Sequence, residues 1–120
     1  MIITRVRYTV GPAYSEQNKE NIARVTSDLK SLDRRDVRYL VFIENDGITF
    51  NHFYLCVDEE SEKIIGTLES FKKFRTELRA STPELQPITT KLTLVGSSFD
   101  LFDTLAVGKK VEEEAAKWSL

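Results

Sequence analysis

The 120-residue chain holds one cysteine, one histidine, one tryptophan and one methionine. One cysteine excludes an internal disulfide framework. One histidine and one cysteine also fall short of the three or four protein ligands of a zinc site, unless several carboxylates join them. No metal and no cofactor are therefore expected. None of the five glycines sits in a G-x-x-x-x-G-K-S/T or G-x-G-x-x-G phosphate loop. Repeats, low-complexity tracts and Gly/Ser linkers are missing as well. Seventeen basic against nineteen acidic side chains leave a net charge of −2, which disfavours a partner held by phosphate neutralisation. Long apolar runs are absent: the start, "MIITRVRYTVGP", breaks its apolar residues with arginines and lacks a signal-peptide core, and nothing later approaches a membrane span. These absences predict a soluble, cytoplasmic chain in a reducing compartment, with no membrane and no nucleic acid among its partners.

What is present is a single globular domain, 41% hydrophobic and 30% charged. Residues 2–10 alternate with period two and read as a strand ended by Gly11-Pro12. Ser15 is a plausible N-cap. Ile22, Val25, Leu29 and Leu32 then recur at helical spacing and predict an amphipathic helix over 15–32. "VRYLVFI" (37–43) is a second strand, "ENDG" (44–47) a hairpin signal, and 48–57 a third strand. The acidic run "DEESE" offers Asp58 or Ser61 as a cap for a second helix over 61–80, whose stripe includes Ile64, Ile65, Leu68, Phe71 and Leu78. "STPELQP" breaks that helix, and "TKLTLVG" predicts a fourth strand near 90–96.

The order β-α-β-β-α-β predicts an α+β, ferredoxin-like fold: a four-stranded antiparallel sheet, strands one and three central, with both helices on one face. Apolar parity assigns Thr4, Val6, Tyr8 and Val10, the odd residues 37–43, Phe53, Leu55 and Val57, and Leu92 with Leu94 to the helix side. The open face would then carry Ile3, Arg5, Arg7, Arg38, Leu40 and Phe42, together with Phe50, His52, Tyr54 and Cys56, and with Thr93 and Val95. That mixture is too apolar for a solvated surface and predicts an interface or a groove. A homodimer through this face is the first expectation. A small-molecule site is the second, in which Arg5 and Arg7 offer planar forks to an anionic oxygen and His52 and Tyr54 offer proton donors.

His52 and Cys56 stand four apart, which in a strand is ~13 Å at ~3.3 Å per residue. A Cys–His nucleophile pair needs about 3 Å, so the two cannot couple within one chain, and Cys56 reads as a small apolar residue. RNA-recognition modules of similar topology stack bases on strands one and three. Here strand one presents arginines and strand three lacks the K/R-G-F/Y-G/A-F motif. Beyond residue 102, "KKVEEEAAKWSL" predicts a helical tail with Val111, Ala115 and Trp118 on one side, so the domain is placed at 1–102 and the tail at 103–120.

The strand ending in "VGP", the hairpin "VRYLVFIENDGITFNHFYLCVDEE" and the helix "SEKIIGTLESFKKFRTEL", with Leu68, Ser70 and Lys73-Phe74, resemble the dimeric α/β-barrel superfamily in its antibiotic-biosynthesis-monooxygenase-like branch. The resemblance implies two domains packed sheet to sheet with helices outside, and a cavity that often lies between helices and sheet. It further implies either a small-molecule binding and assembly domain or a cofactor-independent monooxygenase acting on an aromatic or quinone-like substrate. Heme degradation, another activity of the superfamily, uses an asparagine on strand one, a tryptophan near the end of strand three and a histidine on helix two. Thr4, Val57 or Asp58, and a second helix with Gly66, Thr67 and Phe71 but no histidine stand there instead.

Overall fold

The computed structural model describes residues 1–102. The tail expected at 103–120 lies outside the described residues. The alternating N-terminal run forms β1 (Ile2–Thr9). A 3₁₀ turn over Pro12–Tyr14 follows, with Pro12 at its start, where a missing N–H and a fixed φ cost nothing. It leads into α1 (Ser15–Ser31). Ser15 is the first helical residue and caps nothing; its hydroxyl donates to the carbonyl of Gly47 at 2.7 Å. β2 (Val37–Ile43) and β3 (Thr49–Cys56) are joined by the predicted turn. There Gly47 takes φ +75° and the Asp46 carboxylate accepts from the backbone of Ile48 and Thr49.

The second helix is divided. Asp58 caps α2 (Glu59–Glu62) with a reciprocal Asp58–Ser61 box. A 3₁₀ turn at Ile65–Thr67 and an extended Leu68 (ψ 129°) then separate it from α3 (Glu69–Ala80). Ile64, Ile65, Gly66 and Thr67 are four weak helix formers in a row, and the Thr67 hydroxyl donates to the carbonyl of Ile64, which closes the turn locally. Among the described residues no helix is long and apolar enough to cross a membrane.

The sheet order is β2-β3-β1-β4, with all neighbours antiparallel and β1 and β3 central. This is the ferredoxin-like arrangement. β4 spans Leu85–Leu92, earlier than the expected 90–96. Pro83 and Pro87 suggested a break. An edge strand tolerates proline, and the register shifts between the partners of Arg7 and Thr9, beside Pro87.

Strand parity also departs from expectation. In an antiparallel pair, opposed residues point to one face. Thr4, Val6 and Tyr8 oppose Tyr54, His52 and Phe50, while Tyr39 and Val41 oppose Tyr54 and His52. Phe50, His52, Tyr54 and Cys56 therefore lie on the helix side, and Phe53 and Leu55 on the open face. Leu92 opposes Ile3 and is on the open face too, and Leu94 lies past the strand. Apolarity alone favoured the reverse, because β3 carries large side chains on both parities. The hairpin register decides: it sets Ile43 opposite Phe50. The core thus gathers Tyr8 and Phe50 from the sheet and Val10 just past β1 with Ile22, Val25, Phe74 and Leu78 from α1 and α3.

Candidate functional site

Burying a histidine and two tyrosines among these side chains demands partners for their polar atoms, and the strand register supplies them. Tyr8 on β1, Tyr39 on β2 and His52 on β3 share the helix-side face. The Tyr8 hydroxyl lies 2.7 Å from His52 Nε2, and the Tyr39 hydroxyl lies 2.5 Å from Nδ1. From α1, the Asn18 amide donates to the Tyr8 hydroxyl at 2.7 Å. The result is a four-residue chain, Asn18–Tyr8–His52–Tyr39, crossing from helix to sheet. Asn18, Tyr8 and His52 are buried, and the Asn18 Oδ1 has no partner among the described residues. Phe74 closes over the imidazole, with ring centroids 5.3 Å apart.

Desolvation governs the electrostatics. Burial lowers His52 from 6.5 to about 4, so the ring is neutral near pH 7. Burial pushes the hydroxyls of Tyr8 and Tyr39 well above the usual phenol range, so both keep their protons. The cluster is uncharged and rich in hydrogen-bond capacity. It suits holding a polar ligand atom in an apolar setting.

The chain ends at a cavity of about 510 Å³ between the sheet and α3, lined by Tyr8, Tyr39, His52 and Tyr54 and by the apolar faces of Val6, Ile65, Phe71 and Phe74. Arg75, Arg79 and Lys91 also line it and are exposed, which places cations toward solvent. Lys91 faces Glu62 at 3.6 Å; Arg75 lies 5.7 Å over the Phe71 ring. Tyr54 has a bracing part: its hydroxyl donates to the Ser61 carbonyl at 2.9 Å and accepts from the Ile65 N–H.

The residues singled out in the sequence separate into two groups. Arg5, Arg7, Arg38 and Phe42 lie on the open face with Phe53 and Leu55. His52, Tyr54 and Cys56 lie on the opposite side, so the expected grouping of arginines with His52 does not form. Arg7 is engaged by Glu44 through two hydrogen bonds of 2.7 and 3.1 Å. Arg38 donates to the Leu101 carbonyl and lies over the Phe102 ring, which brings that segment against the open face. Cys56 is fully buried, and burial raises its thiol pKa. Among the described residues no cluster of three or more His, Cys, Asp or Glu side chains is placed to hold a metal.

Comparison with solved structures follows the same architecture. An antibiotic biosynthesis monooxygenase matches 80% of this chain and 100% of its own, at a TM-score of 0.64 and 11% identity. A candidate antibiotic biosynthesis monooxygenase from Bacteroides thetaiotaomicron matches 82% and 93%, at a TM-score of 0.71 and 13% identity. The chain shares the antibiotic-biosynthesis-monooxygenase fold. SnoaB, a cofactor-independent oxygenase from Streptomyces nogalater, has this fold too; it matches 82% of this chain and 97% of its own, at a TM-score of 0.61 and 17% identity. No protein-family model matches the sequence, and no curated protein does.

Sequence reasoning assigned Tyr8 and Tyr39 to the core and gave Asn18 no role. A signal was there. Asn18 precedes Ile22, Val25 and Leu29 at spacings of four, seven and eleven, so it occupies the apolar stripe of α1, where a buried amide requires a partner.

Proposed function

We propose that the protein binds an aromatic, oxygen-bearing small molecule in the cavity between helices and sheet, and that it assembles as a homodimer through its open sheet face. The observation that carries the binding reading is the neutral His52, bonded at both ring nitrogens to tyrosines that line a largely apolar cavity. The volume, about 510 Å³, falls within the roughly 300–1,000 Å³ of small-molecule sites. Exposed Leu40, Phe42 and Ile88 on the open face support the assembly reading. Titration calorimetry with a panel of aromatic ketones and quinones tests the first. Thr89→Trp, which adds a large ring to the cavity wall from the exposed edge strand, should abolish binding with the circular dichroism unchanged. A panel in which nothing binds the unaltered protein refutes it.

A second reading, oxidation of that ligand by O₂ without a cofactor, is favoured by the fold likeness to SnoaB. A ring CH₂ would become C=O, one oxygen atom entering the product and the other leaving as water. With a pKa of about 4, His52 is too weak a base to hold a substrate proton at neutral pH, so its part would be to orient hydroxyls. Oxygen uptake with hydroxyanthrones and quinols, above the protein-free rate and reduced in His52→Ala, is the expected result. Rates equal to the protein-free control would sink this reading.

A further inference from the structure

Counting protons along the Asn18–Tyr8–His52–Tyr39 chain gives it a direction. The Tyr8 oxygen accepts an N–H from Asn18 at 2.7 Å, and the remaining partner of its hydroxyl is His52 Nε2, also at 2.7 Å. If Tyr8 donates there, Nε2 is the unprotonated nitrogen and the neutral ring carries its proton on Nδ1. Nδ1–H then donates to the Tyr39 oxygen. Among the described residues one proton is left without an acceptor, that of Tyr39, and Tyr39 is half-buried on the cavity wall. With the Asn18 amide presenting its N–H to Tyr8, the reverse direction would strand the Tyr8 proton instead, on a residue only 1% exposed. An orphaned donor costs least where solvent or a ligand can reach it.

We propose that Tyr39 is the cavity's hydrogen-bond donor to a ligand carbonyl or phenolate oxygen, and that Asn18 is the positioning residue that aims its proton. Asn18 does not line the cavity; it acts through Tyr8 and His52. The ligand class follows: an aromatic ketone or quinone, whose oxygen can only accept, matches a site that presents a donor. This assignment rests on the cavity binding a ligand, as proposed above, whereas the direction of the chain is a property of the free protein.

His52 is the sole histidine of the chain, so ¹⁵N-histidine labelling reports one ring. Long-range ¹H–¹⁵N correlation of the ligand-free protein at pH 7.5 should show Nδ1 protonated and Nε2 bare. A proton on Nε2 overturns the proposal. Asn18→Asp supplies a carboxylate that accepts from Tyr8 and should interchange the two nitrogen shifts, which loss of packing would not do; an unchanged tautomer in the folded variant overturns the role of Asn18. For the ligand, 1-tetralone and tetralin share a skeleton with and without the carbonyl. Tyr39→Phe should weaken tetralone binding about tenfold and leave tetralin unchanged. Equal effects on both, or no effect, overturn the donor role. Wild-type protein that binds neither probe refutes the cavity reading and the donor role with it, independently of the tautomer.

Discussion

The Tyr8 hydroxyl and His52 Nε2 lie 2.7 Å apart across 44 residues of sequence. The contact joins the two central strands inside the core and holds the imidazole, 5% exposed, where a charge would be poorly hydrated.

That arrangement sets an acid limb for stability. The folded-state pKa of His52 is about 4, against 6.5 in the unfolded chain. Above pH 6.5 both states are neutral and the full stability is present. As pH falls from 6.5 toward 4, the unfolded chain takes up a proton that the folded one refuses, and stability drops by about 3 kcal/mol. The lowered carboxylates Glu44 and Asp46 contribute stability that is lost only below their ordinary values of 4.5 and 3.8. Urea unfolding between pH 7.5 and 5 should therefore slope in the wild type and be nearly flat in His52→Phe.

On the open face, Phe42 is 56% exposed and its ring meets Phe53 edge-on at 5.9 Å. Phe42→Asp should change protomer stability by no more than about 1 kcal/mol and turn a sedimenting dimer into a monomer. Arg7→Glu should act likewise, because it sets a carboxylate against Glu44 in place of their ion pair. Wild-type protein that sediments as a monomer at tens of micromolar would remove the open-face interface.

Asp58 accepts from Ser61 N at 2.8 Å, and the Ser61 hydroxyl accepts from Asp58 N at 3.1 Å. Losing this box in Asp58→Ala should cost about 1 kcal/mol by chemical denaturation. The variant should also free the segment that Tyr54 braces, seen as faster amide exchange at Ile65.

Gly47 turns the β2–β3 hairpin at φ +75°, and a methyl group there would touch nothing within 4 Å. Gly47→Ala therefore carries a conformational cost alone, about 1 kcal/mol. A much larger loss in thermal unfolding would show that the turn is held by contacts rather than by its dihedral.

The element order was legible because period-two and helical spacings are local, and β2 occupies the expected residues 37–43. The parity of β3 was not, because Phe50 and Tyr54 compete with Phe53 and Leu55 for the core, and the choice is settled by pairing with distant strands. β4 was misplaced because Pro87 weighs against a strand in any local reading, while its edge position removes the objection. His52 drew notice by its rarity, yet its partners Tyr8 and Tyr39, and Asn18 behind Tyr8, come from three other elements. The place of Asn18 in the apolar stripe of α1 marks it as buried, but nothing periodic says which strands its hydrogen bonds reach.

The two rims of the sheet are unlike. β4 carries Pro87 beside a register shift in its pairing with β1, and such irregularity blunts the addition of another strand. β2, "VRYLVFI", contains no proline and forms the other rim. Of the two described rims, β2 is consequently the one able to template intermolecular ladders during folding, and a lysine placed in it would protect the chain from aggregation.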